Sequence, residues 1–117
     1  MTQKQFSRFM LDLDEWDDED GKRVFDISAG SNITAEGDET YVFTSFKLSK
    51  SQYSELLYEL RTYDKRRDGD EEIQGTFELI DNEPLFLMCD LDDVNVQLFF
   101  ENKNEILEFQ NFLSENK

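Results

Sequence analysis

An α+β fold, with about seven antiparallel strands and two helices packed on the sheet, is predicted for this chain by three observations. Two segments carry apolar residues at helical spacing behind a capping residue. Several short stretches alternate apolar and polar residues. Turn residues separate those stretches at close intervals. The 117 residues include eleven Phe, 38% hydrophobic and 14% aromatic content. That is enough apolar surface for one domain, residues 1–117, to fold around a core without metal or disulfide.

Residues 41–48 are the clearest strand, with Tyr41, Val42, Phe43, Phe46 and Leu48 set among β-branched Thr44 and small Ser45. Ser49 then stands as an N-cap with Gln52 three residues on, a capping box. Leu48 and Tyr53 are placed as a hydrophobic staple. Inside the helix Tyr53, Leu56, Leu57 and Leu60 fall on one stripe that Tyr63 continues, while Glu55 and Glu59 point elsewhere. Lys65, Arg66 and Arg67 suit the negative end of the helix dipole.

From the N-terminus, residues 6–13 alternate as a first strand with Phe9, Leu11 and Leu13 facing in. Residues 12–20 form a densely acidic stretch around Trp16 that Gly21 closes as a turn. Residues 23–28 are a second strand with Val24 or Phe25 and Ile27 inward. Gly30-Ser31-Asn32 reads as a tight turn into a short strand at 33–35, and Gly37-Asp38 as another. After the first helix, residues 67–74 form a polar loop with Gly69 near the helix stop. Strands follow at 75–80, 85–90 and 94–100, separated by turns at 81–84 and at Asp92-Asp93. Asn102 or Asn104 caps the last helix, with Glu105 as box partner of Asn102. Ile106, Phe109 and Leu113 form its stripe, with Phe112 beside them. At an offset of 53 residues the two strand-to-helix passages align: Tyr53 on Ile106, Leu56 on Phe109, Leu60 on Leu113. Each half is a run of strands closed by one helix, a possible βββα pseudo-repeat, although periodicity alone also generates such matches.

The chain has no His and a single Cys, Cys89. This removes the usual general base, the Ser-His and Cys-His nucleophile pairs, thiolate metal clusters and any internal disulfide. Gly-rich phosphate loops are absent. An EF-hand register begun at Asp12 puts Asp17 at the sixth position, and one begun at Asp68 puts Ile73 there, where Gly is needed. No acid/base pair is distinguished by its setting. The expectation is therefore a non-enzyme without cofactor or metal. The lack of an N-terminal apolar segment or long apolar run points to the cytoplasm.

Charge carries the functional reading. Twenty-eight Asp and Glu against twelve Lys and Arg leave a net charge of −16. Nucleic acid and anionic membrane are repelled, and a basic protein is the complement. The candidate partner-binding residues are Trp16, Asp17, Asp18, Glu19 and Asp20, then Asp70, Glu71 and Glu72. Carboxylates around an exposed aromatic give both steering and an anchor. They would occlude the Lys and Arg that otherwise grip phosphates. A solvated acidic surface with no partner is the plainer account of any such charge run.

Several features together resemble the small bacterial immunity proteins of polymorphic toxin systems, of the WapI-immunity type. These are the strand 9–13 followed by an acidic stretch with Trp16, the strand-helix with Leu56, Leu57 and Leu60, and FELIDNEPLFLMC at 77–89 with Glu83-Pro84 before an apolar strand. A hydrophobic strand and a final helix close the pattern. The resemblance implies a cytosolic protein that neutralises a basic, nuclease-like toxin domain by binding it, with no catalytic residues. Two alternatives remain open from the residues: a nucleic-acid mimic of the phage anti-defence kind, and a structural or assembly subunit.

Overall fold

The computed structural model describes residues 2–35, 37–63, 76–83, 85–91 and 94–115. Its contacts divide the chain into two compact units, residues 1–50 and 51–117. Among the described residues there are seven antiparallel strands and two helices, as the sequence predicts. The strands form two sheets, of four and three, and each sheet is followed by a helix.

The first unit is a meander of β1 (Thr2–Gln5), β2 (Met10–Asp17), β3 (Arg23–Ala35) and β4 (Asp38–Ser49) in spatial order β1-β2-β3-β4. Period-two alternation sets its inner face. Leu11 and Leu13, Phe25, Ile27 and Ala29, and Phe46 and Leu48 are all buried. A one-residue slip of any strand would turn its apolar set outward, so the register is firmly specified.

Two expectations are corrected here. Residues 6–13 are not one strand, because a turn at 6–9 separates β1 from β2. The Phe6 N–H donates to the Phe9 carbonyl at 2.8 Å, and the Gln5 amide donates to both carbonyls, at 2.7 and 3.2 Å. The Phe6 and Phe9 rings stack 5.1 Å apart and both are buried. Apolar burial, rather than Gly or Pro, holds the turn. Nor does the chain turn at Gly30-Ser31-Asn32, since β3 runs unbroken to Ala35. Gly30 is needed for another reason. The Tyr41 ring lies across its backbone, and a Cβ there would collide with the Tyr41 hydroxyl. The turn at Gly37 is present, and its φ of 87° is one that glycine adopts freely.

The second unit holds α1 (Lys50–Thr62), β5 (Phe77–Ile80), β6 (Leu85–Asp90), β7 (Asn95–Phe100) and α2 (Lys103–Glu115). The helix α1 starts directly after Ser49 and buries Tyr53, Leu56, Leu57 and Leu60, the predicted stripe. Deep between the helices, the Tyr53 hydroxyl donates to the Leu113 carbonyl at 2.7 Å. Such a buried phenol stabilises only when its hydrogen bond is made. The predicted polar loop at 67–74, Gly75, Pro84, Asp92 and Asp93 lie outside the described residues.

Phe77, Leu79, Leu85, Leu87, Cys89, Val96, Leu98 and Phe100 make the buried face of the three-stranded sheet. Phe100 meets Phe109 of α2, ring centroids 5.5 Å apart. At the start of α2, Asn102 Oδ1 accepts the Glu105 N–H at 3.2 Å, as the cap requires. The Glu105 carboxylate reaches back to the N–H of Glu101 at 2.7 Å, one residue before the predicted box partner. Glu105 is buried in doing so. Glu59, expected to point away from the core, accepts the Leu79 N–H at 2.9 Å. Leu79 is on β5, an edge strand of its sheet, so a helix carboxylate caps part of an edge that would otherwise be open.

Candidate functional site

The face of the first sheet opposite its buried side carries the exposed aromatics and much of the acid of the first unit. Alternation and register assemble it in rows across the strands. Asp12 stands beside Gln3 and Ser28, and Asp26 beside Asp14 and Lys47. Trp16 stands beside Val24, and Gly30 between Met10 and Phe43. Trp16 is 36% exposed, and the Lys47 ammonium lies 5.7 Å from its ring centroid. Such a cation–π contact in partial solvent stabilises by roughly 0.5–1 kcal/mol. Tyr41 and Phe43, 52% and 64% exposed, stack at 6.2 Å.

The carboxylates on this face are sparsely matched. Asp12 Oδ1 and Asp26 Oδ1 are enclosed yet receive no hydrogen bond from the described residues. Enclosed polar atoms ordinarily have a donor. Next to Asp12 a concavity of about 500 Å³ opens between β1, the 6–9 turn and Tyr41, with Gln3, Gln5, Arg8 and Asn32 on its walls. The walls are mixed polar and aromatic, which suits a polar or cationic side chain better than an apolar ligand.

The predicted cluster at 16–20 is brought together in sequence but divided in space. Trp16 lies on the outer face, whereas Asp17 alternates to the other side. There Arg23 bridges Asp17 at 3.2 Å and Glu15 at 3.0 Å. The hydrogen bond to Asp17, then that to Glu15, pushes the Arg23 guanidinium further up from its ordinary value. Asp18 is structural. Its Oδ1 accepts the N–H of Asp20 at 2.9 Å and of Lys22 at 2.8 Å. Its backbone N–H donates to the Lys22 carbonyl, and its carbonyl accepts from Gly21, whose φ is 78°. Glu19 and Asp20 project from the hairpin tip. Asp70, Glu71 and Glu72 lie outside the described residues.

This division gives a test of stability against surface charge. Asp18→Ala should lower the unfolding free energy by about 1 kcal/mol, the worth of the turn hydrogen bonds it removes. The double change Glu19→Lys, Asp20→Lys should leave the unfolding free energy within about 0.5 kcal/mol of the parent, because both side chains stand in solvent. An Asp18→Ala midpoint equal to the parent would mean the tip is held without its side chain.

Sequence reasoning missed that Lys47 lies over Trp16 and that Asp12, Asp26, Tyr41 and Phe43 share its face of the sheet. The signal was available in the alternation of residues 10–16, but reading β2 as ending at Leu13 hid it. Among the described residues no group of His, Cys, Asp or Glu could hold a metal ion, and no helix is long and apolar enough to cross a membrane. Cys89 is fully buried, and burial pushes its thiol up to about 12, far from nucleophilic use near neutrality. Comparison with known proteins returns no match to a family model, a curated protein or a solved structure. The functional reading therefore rests on the chain's own residues.

Proposed function

We propose that this chain is a non-enzymatic acidic binding protein that neutralises a basic protein by direct contact, acting as an immunity protein for a nuclease-like toxin domain. The observation that carries this reading is the outer face of the first sheet. Exposed Trp16 stands at one end of it and Tyr41 and Phe43 at the other, with Asp12, Asp14 and Asp26 between, two of which lack a donor for an enclosed oxygen among the described residues. Exposed aromatic anchors with polar residues around them are what protein interfaces use as hot spots. The net charge of −16 adds long-range attraction for a cationic partner and repulsion of nucleic acid. The resemblance of the residue pattern to bacterial immunity proteins points to a toxin domain as that partner and to the cytoplasm as the meeting place.

The test is co-expression with the C-terminal domain of any secreted, basic-ended protein whose reading frame adjoins that of this chain. The expected results are rescued growth and a co-purifying complex. In that complex Trp16→Ala should weaken binding tenfold or more, the effect of removing an aromatic hot spot. Glu19→Lys with Asp20→Lys should mainly slow association at low salt. A toxin domain that stays active and unbound in the presence of this chain would remove the proposal.

A further inference from the structure

We propose that the edge of β4 around Tyr41, Val42 and Phe43, which pairs with no further strand among the described residues, accepts an extended, lysine- or arginine-bearing segment of a protein partner as an added strand. This inference rests on the basic-partner reading above and specifies how such a partner would dock.

The register leads to it. Pairing of β2 with β3 ends at Met10 and Gly30, but β3 continues to Ala35 and β4 begins at Asp38. The far part of the β3–β4 hairpin is therefore a two-stranded ribbon in the described structure, with β4 at the end of the strand order. A two-stranded ribbon alone is marginally stable in water. Its edge presents backbone donors and acceptors that can take another strand.

Side chains point the same way. Tyr41 and Phe43 are exposed on one face and Val42, 49% exposed, on the other, so large apolar groups flank the edge on both sides. Large apolar side chains left exposed along an unpaired edge are what an added strand would cover. Residues 40–46, TYVFTSF, carry neither charge nor proline, the two devices that usually blunt an edge. Gly30 leaves room for the tip of the Tyr41 ring against its backbone, and the Phe43 ring stacks beside it. The anchor is thus pre-organised before a partner arrives.

Charge selects the occupant. No Lys or Arg occurs in residues 24–46, whereas Asp26, Glu36, Asp38 and Glu39 do. A second copy would bring another sixteen units of net negative charge to the same edge. A cationic strand is attracted instead, and its Lys or Arg heads can sit over the aromatic platform.

The experiment titrates the full chain with a short peptide of alternating lysine and valine. Its control is the same peptide with its central valines replaced by proline, which cannot donate along a strand. Affinity and site-resolved amide exchange are read together. The alternating peptide should bind and slow exchange in residues 41–45, the proline peptide should not, and Phe43→Ser should weaken binding about tenfold or more. Phe43 is exposed enough that this variant keeps its fold. Failure of the alternating peptide to bind overturns the inference, as does equal binding of both peptides with β4 exchange unchanged. A concentration-dependent dimer abolished by Phe43→Ser overturns the choice of occupant. If the toxin-domain complex forms while β4 amides exchange as before, strand addition falls and the proposed function stands. If the peptide binds at β4 while no basic domain does, the reverse holds.

Discussion

Replacing Leu57 by Asp should unfold the chain. Leu57 is 1% exposed on the buried stripe of α1, between Leu56 and Leu60 at 0% and 2%. An aspartate there must either bury an ionised carboxylate without a partner or take up a proton at a cost. Either penalty is several kcal/mol, on the order of a small domain's whole stability. The neighbouring Tyr58 is 66% exposed, so Tyr58→Asp makes the same chemical change one position along and should keep the cooperative transition. Far-UV circular dichroism and urea denaturation of the two variants decide the matter. A folded Leu57→Asp protein would mean that the inner face of α1 has been wrongly assigned.

The second large effect is at Phe109. Its side chain is fully buried on α2 and packs against Phe100 of β7. Phe109→Ala removes that aromatic pair and leaves a cavity, which should lower stability by about 3–5 kcal/mol. The urea midpoint should fall while the slope of the transition stays unchanged, since the surface exposed on unfolding hardly alters. Leu107, 57% exposed two residues earlier, serves as comparison, and Leu107→Ala should change stability by no more than about 0.5 kcal/mol. Comparable losses at the two positions would indicate that α2 does not dock through the Phe109 side.

Much of this architecture is legible in the residues because burial has a period. Both helical stripes, and the inward placement of Leu11, Leu13, Ile27 and Leu98, follow from spacing alone. Among the described residues seven strands are found, but not quite the seven read from the sequence. β1, TQKQ, has no apolar alternation and exists because it pairs with β2. The predicted strand at 33–35 is instead the end of β3. Local turn chemistry failed twice for opposite reasons. At 6–9 a turn forms without turn residues because two phenyl rings are buried together. At Gly30 turn residues make no turn because the glycine makes room for a ring from the next strand. Only the second depends on a residue of another strand, Tyr41.

The candidate site was legible in composition and less so in geometry. Acidic residues around Trp16 stand out in the sequence, yet the pleat sends Asp17 to Arg23 and Trp16 to Lys47. The tip turn engages Asp18 in backbone hydrogen bonds. Which carboxylates share a face with the aromatics depends on register across three strands, and no single stretch of sequence contains that information. Glu59 and Glu105 show the same limit, being charged residues drawn toward the fold by backbone N–H groups that only the folded chain presents.

The buried thiol of β6 equips the second unit with its own stopwatch. Cys89 is the chain's only sulfhydryl and sits on the inner face between Phe77 and Val96. Because burial pushes its pKa up to about 12, reagents that attack thiolates at neutral pH find almost nothing to react with until the sheet parts. In alkaline solution the opened chain sheds this proton first. The contribution is constant below pH 9, and stability drains away as pH climbs from there toward 12. Modification kinetics at one sulfur atom thus count excursions of the three-stranded sheet, with no label added and no second cysteine to confuse the record.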